Sequence, residues 1–217
     1  MASDITLISI ITSEDFITKT ARSMLYSLEQ MNFARAIIIC PQQISPINKI
    51  EFKYVPITGD YSQWLLSDLV KHVDTKFCLV HQWDSAVIDS SKWTDEFLEY
   101  DYIGAPWPSG QYRVGNGGFS LRSHKFLTEV SRASSLLKTG ADIIGNEDLF
   151  CCAIARPYLE SVGIKFAPLQ LARQFSVERP IPEAPHNYND LSTYNSFGFH
   201  GEFNTAGMRL INDNTNI

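Results

Sequence analysis

Apolar runs alternate with amphipathic segments through the first half of the chain. Ile5 to Ile11 is a β-branched run closed by Thr12-Ser13-Glu14-Asp15, after which Phe16, Ile17, Thr20, Ala21, Met24, Leu25 and Leu28 recur at helical spacing. Ala36 to Cys40 and Phe52 to Ile57 predict two further strands, and Gly59-Asp60 predicts a turn. Ser62 is placed to cap a helix that carries Trp64, Leu65, Leu69 and Val73 on one face. The run from Lys76 then ends abruptly in His81, Gln82 and Asp84, the signature of a strand buried on both faces. Strands alternating with amphipathic helices specify an α/β fold, a mostly parallel sheet with helices on both sides. Ligands of such sheets sit beyond the carboxyl ends of the strands, which puts Asp84 at the rim of a cleft. A carboxylate there either holds a cation or a sugar hydroxyl, or caps a turn.

After Asp89 the texture changes. A helix is predicted over Lys92 to Glu99, followed by Tyr100-Asp-Tyr-Ile-Gly-Ala-Pro-Trp107 and a glycine-rich loop at Gly115-Asn116-Gly117-Gly118. Phe119 to Arg122 is strand-like, and Ser123 caps a helix bearing Phe126, Leu127 and Val130. A polar linker runs to Gly145, and a helix is expected from Asn146-Glu147-Asp148 to Pro157. Lys165 to Leu169 and Gln174 to Glu178 predict edge strands, Arg179 to Asn195 a surface loop, and Thr205 onward a polar tail that frays.

Composition narrows the function. The chain has 217 residues, enough for one domain with a sizeable core, and its 44% hydrophobic and 19% charged content is ordinary for a globular protein. A net charge of −6 argues against a nucleic-acid surface, which needs clustered Lys and Arg. Neither a bilayer-length apolar run nor signal-peptide features are found, so a cytoplasmic protein is expected. Cys40, Cys78, Cys151 and Cys152 lack CxxC spacing and read as buried free thiols. The dinucleotide and P-loop fingerprints, GxGxxG and GxxxxGK[ST], are both absent.

Several stretches occur in a recognisable order: Tyr102-Ile-Gly-Ala-Pro-Trp107, Val114-Gly-Asn-Gly-Gly-Phe-Ser-Leu-Arg122, Glu147-Asp148, Phe175-Ser-Val-Glu178 and Ser196-Phe-Gly-Phe-His-Gly201. Together they resemble a family of GT-A-type glycosyltransferases from bacterial and viral polysaccharide loci. The resemblance covers roughly Phe77 to Gly201. It implies a GT-A α/β/α sandwich in a single domain, with residues 1–90 binding a nucleotide sugar, 91–204 binding a glycan acceptor and 205–217 as a tail.

The resemblance also implies roles. Such enzymes carry an Asp-x-Asp at the end of the central strand to hold Mn²⁺ or Mg²⁺ on the donor diphosphate. Here Gln82-Trp83-Asp84 stands in that place, leaving Asp84 and the late His200 as the expected metal ligands and a thinner site. His81 reads as a hydrogen-bonded histidine rather than a ligand. Asp148 would be the general base and Glu147 its supporting acceptor of sugar hydroxyls, although acidic residues also favour first helical turns for the dipole alone. Thr12, Ser13, Gln82, Asp84, Gly117, Gly118 and Arg113 would bind the donor, with the two glycines as its floor or simply a tight turn. Trp107 and Asn116 would face the acceptor, Trp107 by stacking on a sugar or else packing in the core. Arg113 and Arg122 are candidates for phosphate, or plain surface residues. The expected activity is an inverting transfer from a UDP-linked sugar. A non-catalytic glycan-binding module and a glycoside hydrolase with paired carboxylates are the alternatives.

Overall fold

The structure is a computed structural model that describes residues 2–57, 60–136 and 146–215. The turn expected at Gly59 and the linker expected up to Gly145 therefore lie outside the described residues.

A six-stranded sheet carries the fold. Its strands are β1 (Ala2–Ile10), β2 (Phe33–Cys40), β3 (Glu51–Tyr54), β4 (Phe77–His81), β6 (Tyr102–Gly104) and β7 (Phe119–Ser123), ordered β3-β2-β1-β4-β7-β6. The first four pair in parallel, and β7 runs antiparallel to both its neighbours. Beside it lies a small sheet, β5 (Ser85–Val87), β9 (Gly198–His200) and β8 (Ser176–Val177). That small sheet carries His200 back to the end of β4, because Ser85 pairs with His200.

Alternation along β1 explains the layering. Ile5 and Leu7 pack on one face of the sheet with Ala21 and Met24 of α1 (Ile17–Gln30). Ile8 and Ile10 pack on the other with Trp64 and Leu65 of α2 (Tyr61–Ser67) and Phe126 of α3 (His124–Leu136). Two independent apolar clusters on opposite faces are what a sheet buried on both sides requires. β4 is buried along its whole length, as its apolar run predicts. All four cysteines are free and buried.

Several local expectations need correcting. Ser62 is buried within the first turn of α2 and does not cap it; Asp60 holds the N-cap position without a side-chain bond. Lys92 to Glu99 forms two short 3₁₀ turns, Ser90–Lys92 and Asp95–Glu99, instead of one helix. The helix expected from Asn146 until Pro157 forms as Glu147–Leu149 (α4) and a π turn at Phe150–Ile154, and stops at Ala155. A separate helix, α5 (Arg156–Ser161), begins there, where proline at the first positions needs no donor. Lys165 to Leu169 contributes only a bridge at Phe166, and Leu169 opens α6 (Leu169–Phe175). The segment expected to fray forms α7 (Thr205–Asn214), which buries Ala206, Gly207 and Ile211 against Tyr26 and Phe199.

Candidate functional site

The carboxyl ends of β1 and β4, the Gly115–Gly118 loop and the start of α4 meet at one edge of the main sheet. The firmest contact there is a buried ion pair. Arg122 on β7 is 2% exposed, and its Nη2 lies 3.1 Å from Glu147 Oε1 and 3.2 Å from the Gly117 carbonyl, while Nε donates to Ser120 Oγ at 2.9 Å. Burial pulls the guanidinium toward neutrality, but Tyr102 and Glu147 more than offset this and hold it charged. Glu147 is buried, so its first task is to balance that cation, a role the reading as a sugar contact missed.

Two glycines separate the acidic side of the site from the histidine. A Cβ at position 117 would fall 2.2 Å from Glu147 Oε1, and one at 118 would fall 2.1 Å from His200 Nε2. The absence of side chains at both positions is therefore required by the protein itself, before any donor is considered. Asp148 accepts from the Leu149 amide at 2.7 Å, and burial together with the nearby charge of Glu147 pushes its carboxyl up to about 6. That value suits a base working near neutral pH.

His200 collects most of the remaining polar residues. Its Nε2 lies 3.0 Å from Gln82 Oε1 and 3.6 Å from Asp84 Oδ1, and its Nδ1 lies 3.4 Å from Glu178 and 3.1 Å from the Asn116 amide. Burial lowers the imidazole's affinity for a proton, yet Glu178, Asp84 and Asp148 outweigh it and the net shift is upward. Asn116 thus contacts His200, in a position where an acceptor contact was expected. Glu178, the last residue of the Phe175-Ser-Val-Glu178 stretch, joins the site through His200, a pairing that its place in the sequence does not signal.

The metal expectation can be tested against the donor set. Asp84 Oδ2 accepts from the Glu202 amide at 3.1 Å, whereas Oδ1 is buried without a hydrogen-bond partner and faces His200 Nε2. An orphaned carboxylate oxygen beside an imidazole nitrogen would suit a divalent cation once Nε2, which here faces the Gln82 carbonyl oxygen, gave up its proton. The pair is thin, because among the described residues no group of three His, Cys, Asp or Glu side chains converges on one point.

Other predicted residues fall into place less simply. Thr12 lines a cavity of about 160 Å³ with Phe16, Thr20, Tyr61, His81, Gln82 and Trp83. Ser13 caps the short turn at Glu14–Phe16 and does not line that cavity. Arg113 is already engaged, through Nε to the Trp107 carbonyl at 2.8 Å and Nη2 to Glu183 at 3.2 Å. Trp107 shields Gly115, where a Cβ would meet its ring at 2.4 Å, and it borders an open groove with Tyr112, Leu149 (the residue after Asp148) and Ile154. A larger cavity of about 490 Å³, lined by Lys92, Arg173 and Glu183, contains none of the predicted site residues.

A family model described as "Protein of unknown function (DUF5672)" matches residues 45–200. No curated protein matches the sequence significantly. Among solved structures, the chain is similar to a glycosyltransferase involved in glycosylation of the major capsid of PBCV-1. That likeness has 12% identity and a TM-score of 0.54, covering 94% of this chain and 98% of that one. It is also similar to the apo-form glycosyltransferase GlyE of Streptococcus pneumoniae TIGR4, with 12% identity and a TM-score of 0.50, covering 76% and 45%. Bifunctional IspDF from Campylobacter jejuni gives 12% identity and a TM-score of 0.45, covering 78% and 51%. The chain spans about half the length of the last two. At this identity the likeness shows the fold alone, and the fold is of the GT-A type. Among the described residues no helix is long and apolar enough to cross a membrane.

The ion pair yields a testable consequence. Arg122→Met should cost about 3–5 kcal/mol, because Glu147 is then left as an unpaired buried carboxylate. Adding Glu147→Gln should restore much of that loss. Urea unfolding of the two variants checks both values, and an equal loss in single and double mutants would mean that packing, not charge, decides the position.

Proposed function

The chain belongs to that family of proteins of unknown function, and we propose that it is a glycosyltransferase using a nucleotide diphosphate sugar, with uridine as the nucleotide and a glycan or other hydroxyl as acceptor. The observation that carries this reading is the arrangement around Gly117-Gly118. A carboxylate with its proton affinity raised stands on one side, and an imidazole with an orphaned carboxylate oxygen on the other, on a fold shared with glycosyltransferases.

In the proposed reaction the acceptor hydroxyl oxygen attacks the anomeric carbon. The bond to the diphosphate breaks with its electron pair leaving on the diphosphate, and the hydroxyl proton passes to Asp148. Attack opposite the leaving group inverts the anomeric centre. Asp148 is held for this by the Leu149 and Gly117 amides, and burial together with the nearby charge of Glu147 keeps its proton affinity elevated. Trp107, Tyr112 and Leu149 offer the acceptor an aromatic and apolar groove beside the base. A divalent cation held by Asp84 and His200 would supply positive charge to the leaving diphosphate, and Mn²⁺ suits a mixed oxygen and imidazole set better than Mg²⁺. The hydrolase alternative is weakened by the parallel α/β first half, and Glu147 is already tied to Arg122. A pure binding module would hold the donor intact, with no nucleotide released when an acceptor is added.

Asp148→Asn should keep donor affinity and lower transfer by ~10²–10⁴-fold, the loss typical of a positioned acid or base. In the wild type, transfer should rise through pH 6 and level off above it, since the protonated carboxyl cannot accept the hydroxyl proton. The linkage runs the same way. A folded value raised above the ordinary carboxylate range stabilises the fold at low pH and loses that contribution as pH rises through about 6. Asp148→Asn should therefore be at least as stable as wild type at alkaline pH, which thermal melts can check. An inactive variant that also melts early would point to a structural role.

Asp84→Ala should weaken donor binding more in Mn²⁺ than in EDTA, as read by calorimetry. An equal loss under both conditions would remove the metal role and leave Asp84 as a contact to the sugar or to the Glu202 amide.

A further inference from the structure

The cavity of about 490 Å³ is walled by the last turn of α6, strand β8 and the loop that runs from Glu183 to Asn195. None of the residues around Asp148 or His200 lines it. Its volume falls within the roughly 300–1,000 Å³ of sites that enclose a whole small molecule.

Two cations face this space, Lys92 from the first 3₁₀ turn and Arg173 from α6. Both are half-buried, within reach of a ligand yet not fully solvated. Lys92 Nζ donates to Asn195 Oδ1 at 2.5 Å, and Arg173 Nη1 donates to the Glu183 carbonyl at 2.5 Å. An ammonium has three N–H donors and a guanidinium five, so each keeps donors for a ligand. Among the described residues neither cation has a carboxylate within ion-pair distance. Acidic residues outnumber Lys and Arg by 24 to 18 in this chain, so two cations without an acidic partner at one cavity are not the default of its surface. The carboxylate in the wall, Glu183, is already balanced by Arg113 at 3.2 Å. The cavity therefore offers surplus positive charge to an anion.

The rest of the wall and its position narrow the occupant. Gln174 and Asn195 bring side-chain amides, and Val177 and Pro185 bring small apolar faces. Hydroxyl groups need the first, and the C–H face of a pyranose needs the second. Arg113, which pairs with Glu183, also donates to the Trp107 carbonyl at 2.8 Å, and Trp107 borders the acceptor groove. Val177 is followed in the chain by Glu178, which lies 3.4 Å from His200. We propose that this cavity holds an acidic sugar unit of the acceptor, with its carboxylate or phosphate group met by Lys92 and Arg173. The charged unit is not the one that reacts, because the cavity contains neither Asp148 nor its neighbours. The proposal rests on the acceptor reading above and deepens it: the acceptor is an anionic oligosaccharide, anchored away from the attacking hydroxyl.

The test is an NMR titration of the full chain, without donor, using methyl glucuronoside, methyl galacturonoside, methyl glucoside 6-phosphate and the neutral methyl glucoside. At low salt at least one acidic glycoside should bind ~10-fold more tightly than the neutral one, and added salt should shrink that preference. The leading acidic probe then tells a carboxylate from a phosphate. Arg173→Gln and Lys92→Gln keep a donor but remove the charge, and each should weaken that probe by ~3–10-fold. Thermal melts and UDP affinity should stay at wild type in both variants. Equal binding of acidic and neutral glycosides, or a preference that survives in both variants, would overturn the proposal and leave transfer to neutral acceptors standing. Selective binding of an acidic glycoside by a chain that consumes no UDP-sugar would overturn the glycosyltransferase reading, and the acceptor role with it.

Discussion

The site hangs on one buried ion pair. Removing an arginine from water is expensive, and Arg122 is tolerated in the core only because Glu147, the Gly117 carbonyl and Ser120 meet its donors. Those same contacts tie three separate pieces of chain together: strand β7, the glycine loop that precedes it, and the first turn of α4. Once that junction is fixed, Asp148 follows, because it neighbours Glu147 in the chain and receives the Gly117 amide. Burial raises the proton affinity of the proposed base, and the charge of Glu147 that steadies the fold adds to it.

A second junction lies across the glycines. His200 arrives on β9, a strand of the small sheet, and is pinned by Gln82, Asn116 and Glu178. Position 118 must lack a side chain for the imidazole to fit. Gln82 extends the network to Tyr61 and so to the cavity beyond β1. Proposed base, imidazole and cavity are connected by hydrogen bonds and buried charge.

Much of the scaffold was legible in the sequence, for a physical reason. Strands buried on both faces have to be apolar throughout, so β1, β2 and β4 stand out as runs, and the helices between them show one apolar stripe each. Ser123 could be recognised as a cap from its place before an amphipathic segment, and its Oγ does accept the Phe126 amide at 2.9 Å. The tail was harder, because α7 buries alanine and glycine along with Ile211, and small residues give little hydropathy signal. Pairings across long separations were not legible at all. Glu147 and Asp148 look alike in the chain, and only the approach of Arg122 from 25 residues away distinguishes a buried counter-ion from a half-buried candidate base. His81 was read correctly as hydrogen-bonded, yet its partner, Ser27 at 3.1 Å from Nε2, appears only in the folded chain.

The claim that this edge of the sheet performs sugar transfer is tested most directly by proton NMR of a reaction with a UDP-sugar and a panel of hydroxyl acceptors. The expected result is UDP release that requires an acceptor, with a product whose anomeric configuration is opposite to that of the donor. A product that keeps the donor's configuration would contradict the role given to Asp148, and bound UDP-sugar that remains intact with every acceptor would contradict transfer itself.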